Sequence, residues 1–200
     1  MENNQTYALC ALLSRMKYIT RWGLMRQGRA ETLSEHTAET AMLAHVLALV
    51  AVQVYHRADV RPETLAVAAL YHDASEILTG DMPTPVKYKN EALKTAYKAL
   101  ERESAESLAQ LAPPEIGNVL GSYLTGDVLN PAEAVLLKAA DRLSALIKCL
   151  EEEAGGNTEF AGAKAQQLAL LREMDCPEAD YFVRHLLPCY ERNLDELTRG

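Results

Sequence analysis

The chain has 200 residues, 48% of them hydrophobic and 24% charged, enough for one domain with a sizeable core and too balanced for a disordered or fibrous protein. A formal charge of −8 argues against a surface that holds duplex nucleic acid nonspecifically by clustered Lys and Arg, although one or two local cations can still capture a small anion. Cys10, Cys149, Cys176 and Cys189 contain no CxxC pair, a poor framework for zinc and a poor disulfide staple for a chain this long, and read as reduced thiols in a cytoplasmic protein.

The start, "MENNQTYALC", has no basic segment followed by an apolar run, so no secretory leader is expected. "YALCALLSRMKY" carries apolar residues at helical spacing over 7–18, and "RWGLMRQGRAET" reads as a loop punctuated by Gly23 and Gly28. Ser34 is a suitable N-cap for a long helix to about His56. Its apolar stretch "TAMLAHVLALVAVQVY" contains His45 and Gln53, and a core helix rather than a membrane span is expected. Pro62 suits the first turn of a helix running through "ETLAVAALYHDASEIL", which Gly80, Pro83 and Pro85 stop. Helices are also expected over about 90–111, 115–125 and from Asn130-Pro131 to "AGGN", then over 159–174 and 177–197. No strand-like alternation or repeat is present, so the expected fold is all-α, one domain over residues 1–200.

Four places in this pattern carry charge where a helix looks built for burial. His36 lies in the first turn of the long helix, His72 and Asp73 are adjacent, and Asp141 stands inside "LLKAADRLSAL". Glu76 follows His72 at i+4, one face of a continuous helix. Buried charges are costly unless paired or bound to a metal. Taken singly, each has a plainer reading: a capping histidine, an Asp paired with Arg142, a common dipeptide. Together, two imidazoles and two carboxylates form a mixed N/O set suited to a divalent transition metal with positions left for water and substrate.

His…His-Asp…Asp in an all-α chain resembles the HD-domain phosphohydrolases. "SRMKYITRWGLMR", "SEHTAETAMLAHVLA", "YHDASEILTGDMPTPVKY", "VLLKAADRLSALIKCLEEEAGGNTEF" and "DYFVRHLLP" are together similar to the bacterial HD-domain 5′-deoxynucleotidases over nearly the whole chain. The resemblance implies an HD-type helical bundle that hydrolyses deoxyribonucleoside 5′-monophosphates to deoxyribonucleosides and inorganic phosphate and selects against ribonucleotides. It implies one divalent cation per chain, Co²⁺, Mn²⁺ or a similar transition metal, held by His36, His72, Asp73 and Asp141. Such an ion acidifies a water into a nucleophile, and phosphomonoester hydrolysis is among the slowest uncatalysed reactions.

By the same resemblance Glu76 is the general acid/base; from its position alone it could equally be a carboxylate that orients an imidazole. Arg21 offers a fork to the 5′-phosphate. Trp22, the single tryptophan, reads from sequence as a core anchor, whereas the resemblance places it against the ribose 2′-hydroxyl. His36 and the segment Asp81, Met82, Pro83 and Thr84 complete the implied substrate contacts, Asp81 on the sugar side, with a turn-forming Asp as the plainer reading. Lys87 and the run Glu151–Glu153 read as solvated. A homodimer is implied, with no nucleic-acid polymer and no membrane as partner. A helical module that only binds nucleotide, or an HD hydrolase acting on other phosphate esters, would share much of this pattern.

Overall fold

In the computed structural model, which describes residues 5–87 and 89–199, the all-α expectation holds; Tyr88 of the quoted motif and the first four residues of the chain start lie outside the described residues. α1 (Leu9–Leu13) passes into a 3₁₀ segment, Ser14–Tyr18. The loop that follows returns to pair Thr20 with Thr32 in one antiparallel bridge. α2 (Leu33–Gln53), α3 (Pro62–Tyr71), α4 (Glu76–Thr79), α5 (Thr84–Lys87), α6 (Glu91–Ala109), α7 (Pro114–Leu124) and α8 (Pro131–Ala154) come next. A 3₁₀ segment, Thr158–Phe160, leads into α9 (Ala161–Arg172), then α10 (Pro177–His185), a 3₁₀ segment Leu187–Glu191, and α11 (Leu194–Thr198).

The start of α2 differs from expectation. Thr32, not Ser34, exchanges hydrogen bonds with Glu35: the Glu35 N–H donates to Thr32 Oγ1 at 3.2 Å and the Thr32 N–H to Glu35 Oε2 at 2.8 Å. That reciprocal pair satisfies two of the donors a helix start leaves open. The expected continuous helix from Pro62 is also broken. Its α-helical bonding stops at Tyr71, and residues 72–75 turn with i→i+3 bonds before α4. The last expected helix divides likewise into α10, the 3₁₀ segment and α11.

The chain groups into two compact units. The first contains residues 1–24, 30–37 and 70–128. Its core is Leu9, Ala74, Ala105, Leu108, Ala112 and Leu124, with Tyr71 and Ile77 packed against it. Asn90 caps α6 by accepting from the Leu93 N–H at 2.8 Å.

The second unit contains residues 25–29, 38–69 and 129–200. α8 runs through its core and buries Leu136, Ala139, Ala140, Leu143, Leu146 and Ile147, the i, i+3, i+4 stripe of a core-facing helix. Each large side chain so removed from water contributes about 1.5–3 kcal/mol. Asn130 and Glu133 close a capping box at its start, and Glu133, fully buried, also takes Arg61 Nε at 2.8 Å and Nη2 at 2.5 Å.

Glu152 corrects the reading of residues 151–153 as a solvated run. It is 4% exposed and accepts from Lys148 Nζ at 2.5 Å, the Gly28 N–H at 2.7 Å and Asn157 Nδ2 at 2.7 Å. Burial alone would raise its carboxyl, but Lys148, the Gly28 N–H, Asn157 and the Arg29 N–H bring it down to about 2. A depressed folded value gives stability that is present above the ordinary carboxylate range and lost as pH falls toward 2. Glu152→Gln leaves the Lys148 ammonium buried without its counter-charge. It is expected to lower unfolding stability by about 3 kcal/mol at pH 7 and to flatten the acid limb of the stability–pH curve. An unchanged denaturant midpoint would contradict that role.

Candidate metal and substrate site

The first unit brings together two histidines and an aspartate predicted from sequence. His36, fully buried in the first turn of α2, donates its backbone N–H to Thr32 O at 3.1 Å. His72 and Asp73 occupy the turn between α3 and α4. There the N–H groups of Ala74, Glu76, Ile77 and Leu78 donate to the carbonyls of Tyr71, Asp73, Ala74 and Ser75. In i→i+3 bonding, residues three apart share a row. Tyr71, Ala74 and Ile77 form the row committed to the core. Asp73 and Glu76 form a neighbouring row, so Glu76 is brought beside Asp73 by i+3 spacing. The i+4 helix face expected for His72 and Glu76 is replaced by this tighter geometry.

Asp73 Oδ2 lies 3.1 Å from His72 Nε2 and 3.5 Å from His36 Nε2, and the two imidazole centroids are 5.3 Å apart. One ligand atom from each of the three residues falls within 4.8 Å of the others. Two donors bound to one ion at about 2.1 Å each stand about 3.0–3.5 Å apart, so both His–Asp separations fit a shared cation. The N/N/O donor set also fits a divalent transition metal better than Mg²⁺ or Ca²⁺, which favour oxygen alone. Asp141 lies on α8 in the second unit, where its Oδ2 accepts from Lys138 Nζ at 2.6 Å.

The electrostatics of the first unit separate its carboxylates. Burial would push Asp73 up, but His72 and His36 hold it well below the ordinary carboxylate range. Glu76 goes the other way. It is 7% exposed, and its Oε2 has no hydrogen-bond partner among the described residues. Burial first, then the charges of Asp73 and Asp81, push its carboxyl up to about 9 against the opposing charges of Arg21 and Lys87. Asp81 is raised by burial and by Asp73, with Arg21 and the Trp22 N–H opposing. Two neighbouring carboxyls with values driven apart are the usual mark of an acid/base pair with divided roles.

Around this cluster stand the other residues singled out by sequence. Arg21 and Trp22 follow the 3₁₀ segment, and Trp22 adopts φ 62°, a left-handed conformation that costs a bulky residue about 1–3 kcal/mol. Gly80 ends α4 at φ 73° with open space where a Cβ would stand, so backbone freedom rather than room requires glycine there. Asp81, Met82 and Pro83 are half-buried and Thr84 is exposed. Pro83 O accepts from the Val86 and Lys87 N–H groups at 2.8 and 3.0 Å.

Lys87 is not the solvated lysine expected. Its Nζ donates to Glu101 Oε1 at 2.6 Å and lies 4.8 Å from the Tyr97 ring centre. The Tyr97 hydroxyl in turn donates to Gly80 O at 3.2 Å. These contacts brace the turn that presents Asp81. Sequence reading also passed over Glu31, which binds both Arg21 and Trp22; an acid ahead of a helix carries no distinguishing mark.

Comparison with known proteins adds a family. The family model described as 5′-deoxynucleotidase YfbR-like matches residues 8–190. A 5′-deoxynucleotidase of Cronobacter sakazakii and the 5′-deoxynucleotidase YfbR of Escherichia coli are each 42% identical over 189 residues, 94% of this chain and 94% of theirs. Among solved structures, an HD-domain phosphohydrolase of Listeria innocua aligns with TM-score 0.78 at 23% identity, over 90% of this chain and 87% of its own. A cyanophage S-2L HD phosphohydrolase, DatZ, bound to dA and one catalytic Zn²⁺ ion, aligns with TM-score 0.63 at 21% identity, over 92% and 96%. These two likenesses establish a shared helical fold.

A carboxyl raised on folding binds its proton more tightly in the folded chain than in the unfolded one. Stability of ion-free protein is therefore expected to fall as pH rises from about 4.3, the unfolded value, to about 9. Glu76→Gln should remove that decline and raise stability at pH 7 by roughly 1–3 kcal/mol. Thermal melts in chelator across this range check it, and parallel curves for the two proteins would contradict it.

Proposed function

The chain belongs to the YfbR-like 5′-deoxynucleotidase family, and on that premise we propose how its residues divide the hydrolysis of a deoxyribonucleoside 5′-monophosphate. The protein is a phosphomonoester hydrolase that releases inorganic phosphate and a deoxyribonucleoside. The observation that carries the proposed division of labour is the Asp73 carboxylate within 3.1 and 3.5 Å of two imidazoles, with Glu76 in the adjacent row.

His36, His72 and Asp73 would hold one divalent cation, and Asp141 joins them on the strength of the sequence resemblance. A Zn²⁺ ion in the cyanophage relative supports a transition metal; Co²⁺ and Mn²⁺ suit the same donors. When bound, such an ion polarises a phosphoryl oxygen and acidifies a water near neutral pH. His36, as a fully buried ligand, also borders the phosphate. Glu76 moves the protons. Its carboxyl, raised by burial and by its acidic neighbours and so holding a proton near neutral pH, can deliver that proton to the leaving 5′-oxygen and regain one from the attacking water, a role worth about 10²–10⁴ in rate.

Arg21 offers N–H donors to the phosphate, a fork that lysine does not reproduce. Trp22 and Asp81 face the sugar, with Met82, Pro83 and Thr84 as the rim of that subsite. An apolar wall alone rejects an added hydroxyl by only about 10², so preference for the deoxyribose depends on how firmly Trp22 and Asp81 are held. We further infer a cytoplasmic homodimer with no nucleic-acid polymer or membrane as partner. Its supports are the family resemblance and four cysteines outside any disulfide; no helix among the described residues is long and apolar enough to cross a membrane. Residues 1–200 are read as one functional domain.

Phosphate release from dAMP and AMP, with and without added Co²⁺ or Mn²⁺, tests the reading. Ion-dependent release that favours dAMP is expected, and no release from dAMP with either ion would overturn it. In the loaded enzyme, Glu76→Ala should cut turnover at least about 10²-fold while metal content holds. Asp141→Ala should lose metal. Full turnover by the first variant, or full metal content in the second, would remove that residue from its role.

A further inference from the structure

Glu31 has no part in the division of labour above, yet it is 6% exposed and bonded to two residues of that site. Its Oε2 accepts from Arg21 Nη1 at 2.9 Å and from Trp22 Nε1 at 2.8 Å. Its backbone carbonyl accepts from the Arg21 N–H at 2.9 Å. Next to these contacts Thr20 pairs with Thr32, and the Leu33 N–H donates to Ile19 O at 2.8 Å. Residues 19–21 and 31–33 thus pair through this single antiparallel bridge. The second of these segments runs directly into the first turn of α2, where His36 lies.

Trp22 needs such a tether. Its left-handed backbone is one that a bulky residue leaves unless its surroundings hold it. The Trp22 backbone N–H is engaged by Asp81 and its indole N–H by Glu31. An ionised carboxylate only accepts, with about two lone-pair sites on each oxygen. Oε2 therefore has places for both donors at once, and the charge on it strengthens both bonds. Arg21 keeps the geometry of a five-donor fork while one Nη1 proton is committed to Glu31.

We propose that Glu31 is a positioning residue whose single Oε2 sets the phosphate grip of Arg21 and the sugar wall of Trp22 together. Affinity for the monophosphate and preference for the deoxy sugar are then coupled through one atom. The inference rests on the proposed roles of Arg21 and Trp22, and it makes a demand they do not. Removing a residue that touches no substrate should weaken both properties at once and spare the chemical step.

The test is steady-state hydrolysis of dAMP and AMP by metal-loaded wild type, Glu31→Gln and Glu31→Ala, with metal content and thermal unfolding measured on each. Glu31→Ala is expected to raise KM for dAMP about tenfold or more and to narrow the dAMP-over-AMP ratio of kcat/KM by a similar factor, with kcat for dAMP within about threefold. In Glu31→Gln the amide oxygen still accepts from Trp22 Nε1 but offers Arg21 no charge, so KM should rise while the sugar preference persists. Emission from Trp22, the single tryptophan, should shift in the alanine variant and not in the glutamine one.

A folded, metal-replete Glu31→Ala with wild-type KM and preference overturns the proposal. So does a loss confined to stability. If the alanine variant does not fold, an unchanged KM in Glu31→Gln overturns it instead. Wild type that fails to prefer dAMP overturns the assigned role of Trp22 and this coupling with it, whereas normal preference with insensitivity to Glu31 overturns the coupling alone.

Discussion

Asp73 lies between two imidazoles, 3.1 Å from His72 and 3.5 Å from His36, and holding that carboxylate there governs the local build of the first unit. A continuous α-helix through residues 71–77 would already set Asp73 and Glu76 as neighbours on one face, and the tighter turn aligns them more closely. The i→i+3 bonding of this stretch commits Tyr71, Ala74 and Ile77 to the core and leaves Asp73 and Glu76 side by side. Core packing thus fixes the position of the charged row. The cost is a carboxyl, Glu76, that is buried next to two acids and pushed up to about 9, a destabilising arrangement that makes chemical sense where a proton must be held and released.

Rigidity recurs around the cluster in another form. Trp22 is kept in a left-handed conformation by two acids, one on its indole and one on its backbone. Gly80 turns sharply, and the Tyr97–Lys87–Glu101 contacts brace the segment that follows. Strained or buried polar groups persist only where neighbours over-determine them. Their concentration around residues 21–22, 31 and 76–87 gives the proposed substrate site a rigid frame.

Much of this was legible in the sequence, for identifiable reasons. Helical periodicity and the Asn130-Pro131 start marked α8 to within a residue, because capping chemistry and the apolar stripe agree there. His36, His72 and Asp73 stood out as charges in apolar surroundings. The break after Tyr71 was hidden, since "LYHDASEIL" contains neither Gly nor Pro and only tertiary packing selects the tighter turn. Glu152 was misread because a run of three acids does not reveal which one faces inward toward Lys148. Glu31 was missed for a related reason: its partners, nine and ten residues earlier, come into reach only through the backbone pairing of residues 19–21 with 31–33.

The most direct test of the central claim is a crystal structure of the protein grown with Co²⁺ or Mn²⁺, read by anomalous scattering at the metal edge. A single strong peak about 2.1 Å from His36 Nε2, His72 Nε2 and an Asp73 carboxylate oxygen is the expected result. A metal-replete, active crystal with its anomalous peak away from these three side chains would contradict it.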